Sequence, residues 1–404
     1  VPEPVIVATS RTPIGRAFKG SLVNERADDM AAFIVDDVLR KVPALDRSTV
    51  DDLMLGCGLP GGEQGFNMGR VVAILAGMPQ VPGCTITRYC SSSLQTLRMA
   101  AHAIKAGEGD AFIAAGVEAV SGFTRGGSSD HTPNTQNPKF EGSQLRSMAR
   151  AAGDQGGWTP AEGLPDVYIA MGETAENVAE IEGVSREEMD EFALLSQTRA
   201  GAAIERGFYE REITPLPVSD GSVVSTDDCP RPTTTLDKLS TLAPAFRPTG
   251  RVTAGNACPL NDGAAAVVVM SDTRARELGI TPLARIVASG VTGLDPEIMG
   301  LGPIEASRQA LARAGMTIDD VDLVEINEAF AAQVIPSARA LGIEWDKLNV
   351  NGGAIALGHP FGMTGARIMN TLLNGLEDAD RTIGLETMCV GGGQGMAMVV
   401  ERLA

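Results

Sequence analysis

The chain has little of what marks a membrane or nucleic-acid protein. No apolar run in its 404 residues approaches the ~20 needed to span a bilayer. The longest, Ala264 to Met270, has the length of a buried strand. Positive charge is scarce: 33 Lys and Arg stand against 51 Asp and Glu, a net charge of −18. That balance argues against nucleic acid or an anionic membrane as the partner. It also means that any anionic ligand needs cations gathered locally. Cysteine is sparse, and none of the six residues makes a C-x-x-C pair, which argues against a zinc site. Free thiols are the expectation for a large cytoplasmic chain. The start, Val1-Pro2-Glu3-Pro4 and then Val5 to Thr9, has neither a basic n-region nor a signal cleavage site, so a cytoplasmic location is expected. Histidine numbers three, so one inside a glycine-rich motif stands out.

What the chain does have is apolar content and glycine. With 44% hydrophobic residues it can build a large core and two or three domains. One stretch combines a thiol with glycines: Thr387-Met388-Cys389-Val390-Gly391-Gly392-Gly393-Gln394-Gly395. Its flanks, Ile383 to Leu385 and Met396 to Val400, read as strands. The spacing therefore predicts a hairpin-like turn whose backbone N–H groups can reach a substrate.

Residues 1–120 alternate short apolar strands with amphipathic helices. Val5–Thr9, Leu53–Leu55 and Ala111–Ala115 read as strands. Asp28–Lys41, Phe66–Ala76 and Ser91–Ala106 read as helices, the last with Gly107 as its cap. Residues 280–404 repeat the plan. Val5-Ile6-Val7-Ala8-Thr9 is echoed by Arg285-Ile286-Val287-Ala288-Ser289, and Asp52-Leu53-Met54-Leu55 by Asp322-Leu323-Val324-Glu325. Cys90 lies 37 residues after Leu53, and His359 lies 36 after Leu323. Each precedes a helix that leads to a strand, so the two are expected at matching positions of a pseudo-twofold α/β pair. Between the halves, Gly122–Gly157 reads as loop, Met171–Ala179 and Arg186–Arg206 as helices, and Thr214–Ala243 as irregular. The expected division is 1–120, completed by 252–279, then an inserted loop domain over 121–251, then 280–404.

Cys90 stands in Thr87-Arg88-Tyr89-Cys90-Ser91-Ser92-Ser93, just ahead of a helix. The dipole and free N–H groups there are expected to lower its pKa and favour thiolate. The alternative is a small buried hydrophobe behind ordinary serine capping. His359, in Gly358-His359-Pro360, is placed to take a proton from a thiol or donate to an oxyanion. Asn327, at a strand end, can orient a water or a side chain.

Taken together the motifs resemble the thiolases over nearly the whole chain. They are the Cys90 segment, Gly255-Asn256-Ala257-Cys258 with 261–266, Asn327-Glu328-Ala329-Phe330, the run 352–360, and 389–393. The resemblance implies a five-layered α-β-α-β-α fold of two related halves. It implies 3-ketoacyl-CoA cleavage, or the reverse condensation, with coenzyme A as substrate and no further cofactor or metal. Cys90 resembles the acylated nucleophile, His359 its base, and Cys389 the second thiol that moves a proton. Asn327 looks like the residue that holds a water beside His359 for an enolate. The N–H groups of Cys90 and Gly391 look like the second oxyanion hole. Arg231 and Lys238 match the nucleotide-binding region, Cys258 a pantetheine contact, and Met171, Met299 and Phe330 the acyl and substrate pocket. Departures are Ser93 where Gly is usual, Thr87 for Asn, Cys258 for Ser, and Ala170 for a His of short-chain members. The last leaves room for longer acyl chains. A homodimer or homotetramer is implied. Two other readings are a decarboxylating ketoacyl synthase and a non-catalytic acyl-CoA carrier; retention of Cys90, His359 and Cys389 together favours a thiolase.

Overall fold

The computed structural model describes residues 1–125, 135–153 and 156–404. The first half opens with strand β1 (Pro4–Arg11), the short β2 (Gly15–Arg16) and helix α1 (Ala27–Arg40). It continues through β3 (Asp52–Cys57), α2 (Met68–Leu75), β4 (Gly83–Ile86), α3 (Ser92–Ala106) and β5 (Ala111–Ala119). A polar stretch carries α4 (Glu141–Ala151), α5 (Met171–Ile181), α6 (Arg186–Glu205), the two-residue strands β6 (Leu216–Pro217) and β7 (Val223–Val224), and α7 (Leu236–Ser240). Then β8 (Asn261–Ser271) and α8 (Asp272–Glu277) follow. The second half holds β9 (Ala284–Gly293), α9 (Gly302–Ala314), β10 (Leu323–Ile326), α10 (Ala331–Leu341), α11 (Ala354–Leu357), α12 (Thr364–Asp378), β11 (Ile383–Val390) and β12 (Gln394–Arg402).

The strand order is β10-β11-β12-β9-β1-β8-β5-β3-β4, with β2 beside β8. Read outward from the β1–β9 junction, the two sides run β1-β8-β5-β3 and β9-β12-β11-β10, the same plan twice. The junction is short, Val5 opposite Arg285 and Ile6 opposite Ala284, so the two sheets diverge beyond it. Helices α3 and α12 fill the space between them and touch each other. Helices α1 and α2 cover the outside of one sheet, and α9 the outside of the other, with α10 packed beside α9. The apolar clusters follow these layers: one outside each sheet and one, containing Leu94, Leu97, Ile368 and Leu372, in the middle. Fully buried strands such as Ala264–Met270 are apolar at every position because both faces are covered.

The expected elements recur with shifted ends. The helix expected from Phe66 begins at Met68, behind an 80% exposed Phe66. The expectation of loop over 122–157 is corrected in part: 141–151 form a helix, with Ser143 and Ser147 on its buried side. Its hydroxyl-rich inner face hid it, since an apolar stripe is the usual signal. Residues 126–134 and 154–155 of that expected loop lie outside the described residues.

Candidate active site

Two helix starts meet at the centre. Gly365 of α12 lies so close to Leu94 of α3 that an added Cβ would come within 2.3 Å of the Leu94 nitrogen. Ser93 Oγ accepts the Ala366 N–H at 2.9 Å, which gives the departure at 93 a bonding role. The other departure, Thr87, donates from Oγ1 to the Gly58 carbonyl at 2.9 Å. This packing sets α12 against the Tyr89–Ser91 turn that holds Cys90, and His359 lies in the segment that leads into α12.

Cys90 sits in a tight turn, Tyr89–Ser91, that runs into α3. Tyr89 is held at φ 43°, in the left-handed region that a non-glycine residue adopts at a cost. The turn points the thiol at two backbone donors, the N–H groups of Gly391 and of Cys90 itself. The expected lowering of the Cys90 pKa is overturned. Burial pushes the thiol up to about 11, and the two N–H groups pull it only partly back. Desolvation of a thiolate outweighs the local donors and the helix end.

Gly391 belongs to the hairpin between β11 and β12. Gly392 and Gly393 have φ of 73° and 78°, and a Cβ on Gly393 would lie 2.2 Å from the Leu294 carbonyl. The turn therefore requires glycine at those two positions. Cys389 is the residue of β11 opposite Gly395. It is fully buried, and burial first, then the proximity of Cys90 and Cys258, raise its pKa well above the ordinary thiol value. It rests as a protonated thiol.

His359 is 1% exposed. Its Nδ1 lies 2.6 Å from Thr364 Oγ1, and its Nε2 lies 3.3 Å from Asn327 Nδ2. Thr364 uses its own proton on the Pro360 carbonyl at 2.9 Å. It must therefore accept from Nδ1–H, which leaves Nε2 unprotonated, the nitrogen that can act as a base. Asn327 donates to that same Nε2, while its Oδ1 is buried with no partner among the described residues. Burial, then the charge of Arg367, press the imidazole down to about 3, so it rests neutral. Asn261 Oδ1 accepts the His359 backbone N–H at 2.9 Å. Gly358, at φ 114°, leaves the room that Asn261 needs.

Thr364 and Glu118 were not singled out from sequence. Glu118 is fully buried at the end of β5 and accepts N–H bonds from Gly58 at 2.6 Å, Leu59 at 3.2 Å and Gly362 at 2.9 Å. It ties the loop after β3 to the turn after His359. Thr364→Val is expected to lower kcat about 100-fold with KM little changed, because the imidazole loses its fixed tautomer. Thr364→Ser should restore most of the rate. Loss in KM alone would contradict this positioning role.

Two cavities open beside these residues. The first, about 470 Å³, is mostly apolar and is lined by Cys90, Gly391, Tyr89, Met171, Ala170 and Phe361, among others. The second, about 720 Å³, is lined by Cys258, Arg231 and Lys238, and also by Arg16 and Lys19. Phe18 and Leu260 line both, so the cavities adjoin. Four cations around one cavity supply the local positive charge that the acidic chain needs for an anion. Arg16 and Lys19 come from the β2 turn, far in sequence from 231–238, and no local pattern marks them. Met299 and Phe330 line neither cavity. Met299 is buried in the outer core of the second half, and the Phe330 ring meets Phe246 edge to face at 6.1 Å between centroids.

The arrangement offers a neutral thiol, a neutral imidazole whose unprotonated Nε2 faces Asn327, a second protonated thiol and two convergent N–H donors. Such a set can pass an acyl group through sulfur.

Comparison with known proteins places this geometry. The chain matches the family model for the thiolase N-terminal domain over residues 4–273 and that for the thiolase C-terminal domain over 280–402. It is similar to a 3-ketoacyl-CoA thiolase of Pseudoalteromonas translucida, 45% identical over 410 residues, with 99% of each chain covered. A 3-ketoacyl-CoA thiolase of Aeromonas hydrophila is also 45% identical, again with 99% of each chain covered. Among solved structures, the Bacillus anthracis acetyl-CoA acetyltransferase superposes with a TM-score of 0.86 at 38% identity, covering 100% of this chain and 99% of that one. Human mitochondrial 3-ketoacyl-CoA thiolase gives 0.86 at 34% identity, with the same coverage.

Proposed function

The chain belongs to the thiolase family, and from that premise we propose how its residues carry the acyl-CoA C-acyltransferase reaction. The activity is cleavage of a 3-ketoacyl-CoA to acetyl-CoA and a shortened acyl-CoA, or the reverse condensation, within fatty acid metabolism. The observations that support the assignment of roles are the Gly391 and Cys90 N–H groups on the Cys90 thiol, the nearby Cys389 thiol, and the His359–Asn327 pair, whose ring neighbour Phe361 lines the same apolar cavity as Cys90.

In the cleavage direction Cys90 Sγ attacks the 3-keto carbon while its proton passes to His359 Nε2. With both groups neutral at rest, this transfer accompanies the attack rather than precedes it. The N–H groups of Cys90 and Gly391 bind the oxyanion that forms. The bond between the α-carbon and the keto carbon then breaks, leaving the shortened acyl group on sulfur and expelling an enolate. Asn327 and the protonated imidazole face its thioester oxygen, and Cys389 gives its proton to the α-carbon. The thiol of a second coenzyme A returns a proton to Cys389 and attacks the acyl group. His359 then gives its proton back to Cys90. No proton or electron is left over, and sulfur serves as both nucleophile and leaving group.

Arg231, Lys238, Arg16 and Lys19 are read as the cations facing the phosphates of coenzyme A, with Cys258 on the pantetheine path. Met171 and Ala170 are read as acyl-pocket residues. Residues 1–120 with 252–279 and residues 280–404 are taken as the two catalytic halves, and 121–251 as the covering insert; the pairing of β8 with β5 and β1 supports this. A homodimer or homotetramer fits the half-buried edge strand β4, beside which Phe66, Ile74 and Leu75 are exposed. Six free thiols fit a cytoplasmic setting. No helix among the described residues is long and apolar enough to cross a membrane.

The test is a ladder of 3-ketoacyl-CoA chain lengths with coenzyme A, followed by acetyl-CoA release. With Ala170 on the cavity wall, kcat/KM is expected to rise beyond the four-carbon substrate. A preference confined to that shortest substrate would contradict the acyl-pocket reading, and no cleavage at any length would contradict the function.

A further inference from the structure

A second charged cleft lies along α3, behind the catalytic turn. Arg98, His102 and Lys105 occupy one stripe of that helix, at spacings of four and three residues. Facing them are Ile286 to Ser289 of β9 and Arg313 in the last turn of α9. Together they line a cavity of about 390 Å³ where the two sheets diverge.

No Asp or Glu lines this cavity, although acids outnumber bases 51 to 33 in the chain. Burial first, and then the neighbouring cations, disfavour charge here: Arg88 and Arg313 press on Arg98, and Arg98, Lys105 and Arg313 on His102. Arg98 Nε is buried and has no partner among the described residues. Arg313 donates to the Ser289 carbonyl at 2.7 Å, and Arg88 donates to Gln394 and Gln95, all neutral acceptors.

Helix ends account for part of this charge. The C-termini of α3 and α9 both point here, and each carries about half a negative charge. Their sum, roughly one negative charge, leaves about two of the three permanent cations uncompensated. Arg98 is half-buried and His102, Lys105 and Arg313 are exposed, so water screens part of their repulsion, and an anion in the cleft would relieve the rest. The excess matches a phosphate dianion, and guanidinium groups suit its oxygens.

The geometry points to a phosphate-binding site in this cleft, formed by Arg98, His102, Lys105 and Arg313 and separate from the coenzyme A cavity. Its ligand is free phosphate or the terminal phosphate of a monoester. A bound dianion must favour protonated His102, and by linkage protonated His102 must favour the dianion.

The test uses the full-length protein with isotope-labelled histidine, since only three histidines are present. Inorganic phosphate and adenosine monophosphate are titrated at constant ionic strength set with chloride, and the His102 ring signals are followed against pH. Phosphate is expected to raise the His102 pKa by about one unit, equivalent to about tenfold tighter binding to the protonated form. Thermal stability should rise with it. The Arg98→Gln/Lys105→Gln variant should lose both effects; if it fails to fold, Lys105→Gln alone should weaken them. Stronger action of the nucleotide at His102 would assign the site to a monoester, and equal action to phosphate itself. No phosphate-specific shift at His102, or the same shift in variant and wild type, would overturn the site.

Discussion

Cys90→Ala is expected to lower kcat/KM for 3-ketoacyl-CoA cleavage by about 10⁵-fold or more. The loss is that large because the remaining groups assist attack by this sulfur and supply no substitute for it. The Gly391 and Cys90 N–H groups converge on Sγ, and Nε2 of His359 is kept unprotonated to receive its proton. Without the thiol these donors have no tetrahedral intermediate to stabilise. The fold should survive, since the change removes one sulfur at the rim of a cavity. A melting temperature within a few degrees of wild type, beside near-zero turnover, is the expected pair of results. Turnover within tenfold of wild type would remove Cys90 from the mechanism.

Cys389→Ala is expected to separate the half-reactions. Acylation from an activated thioester should persist, since Cys90, His359 and the two N–H donors are untouched. Exchange of the α-protons of acetyl-CoA with solvent should fall by about 10³-fold, within the range of general acid–base catalysis. The reason is the environment of the second thiol. Burial and two neighbouring sulfurs hold it protonated, which suits an acid for a carbanion. Equal exchange rates in variant and wild type would refute that role. A fall in both half-reactions alike would mean that Cys389 supports the site rather than moving a proton.

Much of this was legible in the chain because it lies in local pattern. The repeat was visible in matching strand segments and in the near-equal spacing to Cys90 and to His359. The pseudo-twofold sheet order follows from it. The hairpin after Cys389 was marked by its glycines, two of which are sterically required. What stayed hidden depends on contacts between distant segments. Thr364 follows His359 by only five residues, yet its use as an acceptor is set by where its own proton goes. Arg16 and Lys19 reach the cavity of Arg231 and Lys238 only through the fold. The Cys90 pKa runs opposite to the sequence expectation because a helix start is visible in sequence and the depth of burial is not. Helix α4 leaves no apolar stripe in the sequence because its buried side carries serine rather than leucine.

The central claim is that one sulfur, Cys90, carries the acyl group between the two coenzyme A esters. The direct measurement is mass spectrometry of proteolytic fragments after brief mixing with a 3-ketoacyl-CoA in the absence of free coenzyme A. The expected result is an acyl group two carbons shorter than the substrate chain, on the fragment containing Cys90 and lost when coenzyme A is added. An adduct on Cys389 or Cys258 with Cys90 unmodified, or turnover with no adduct on any thiol, would contradict it.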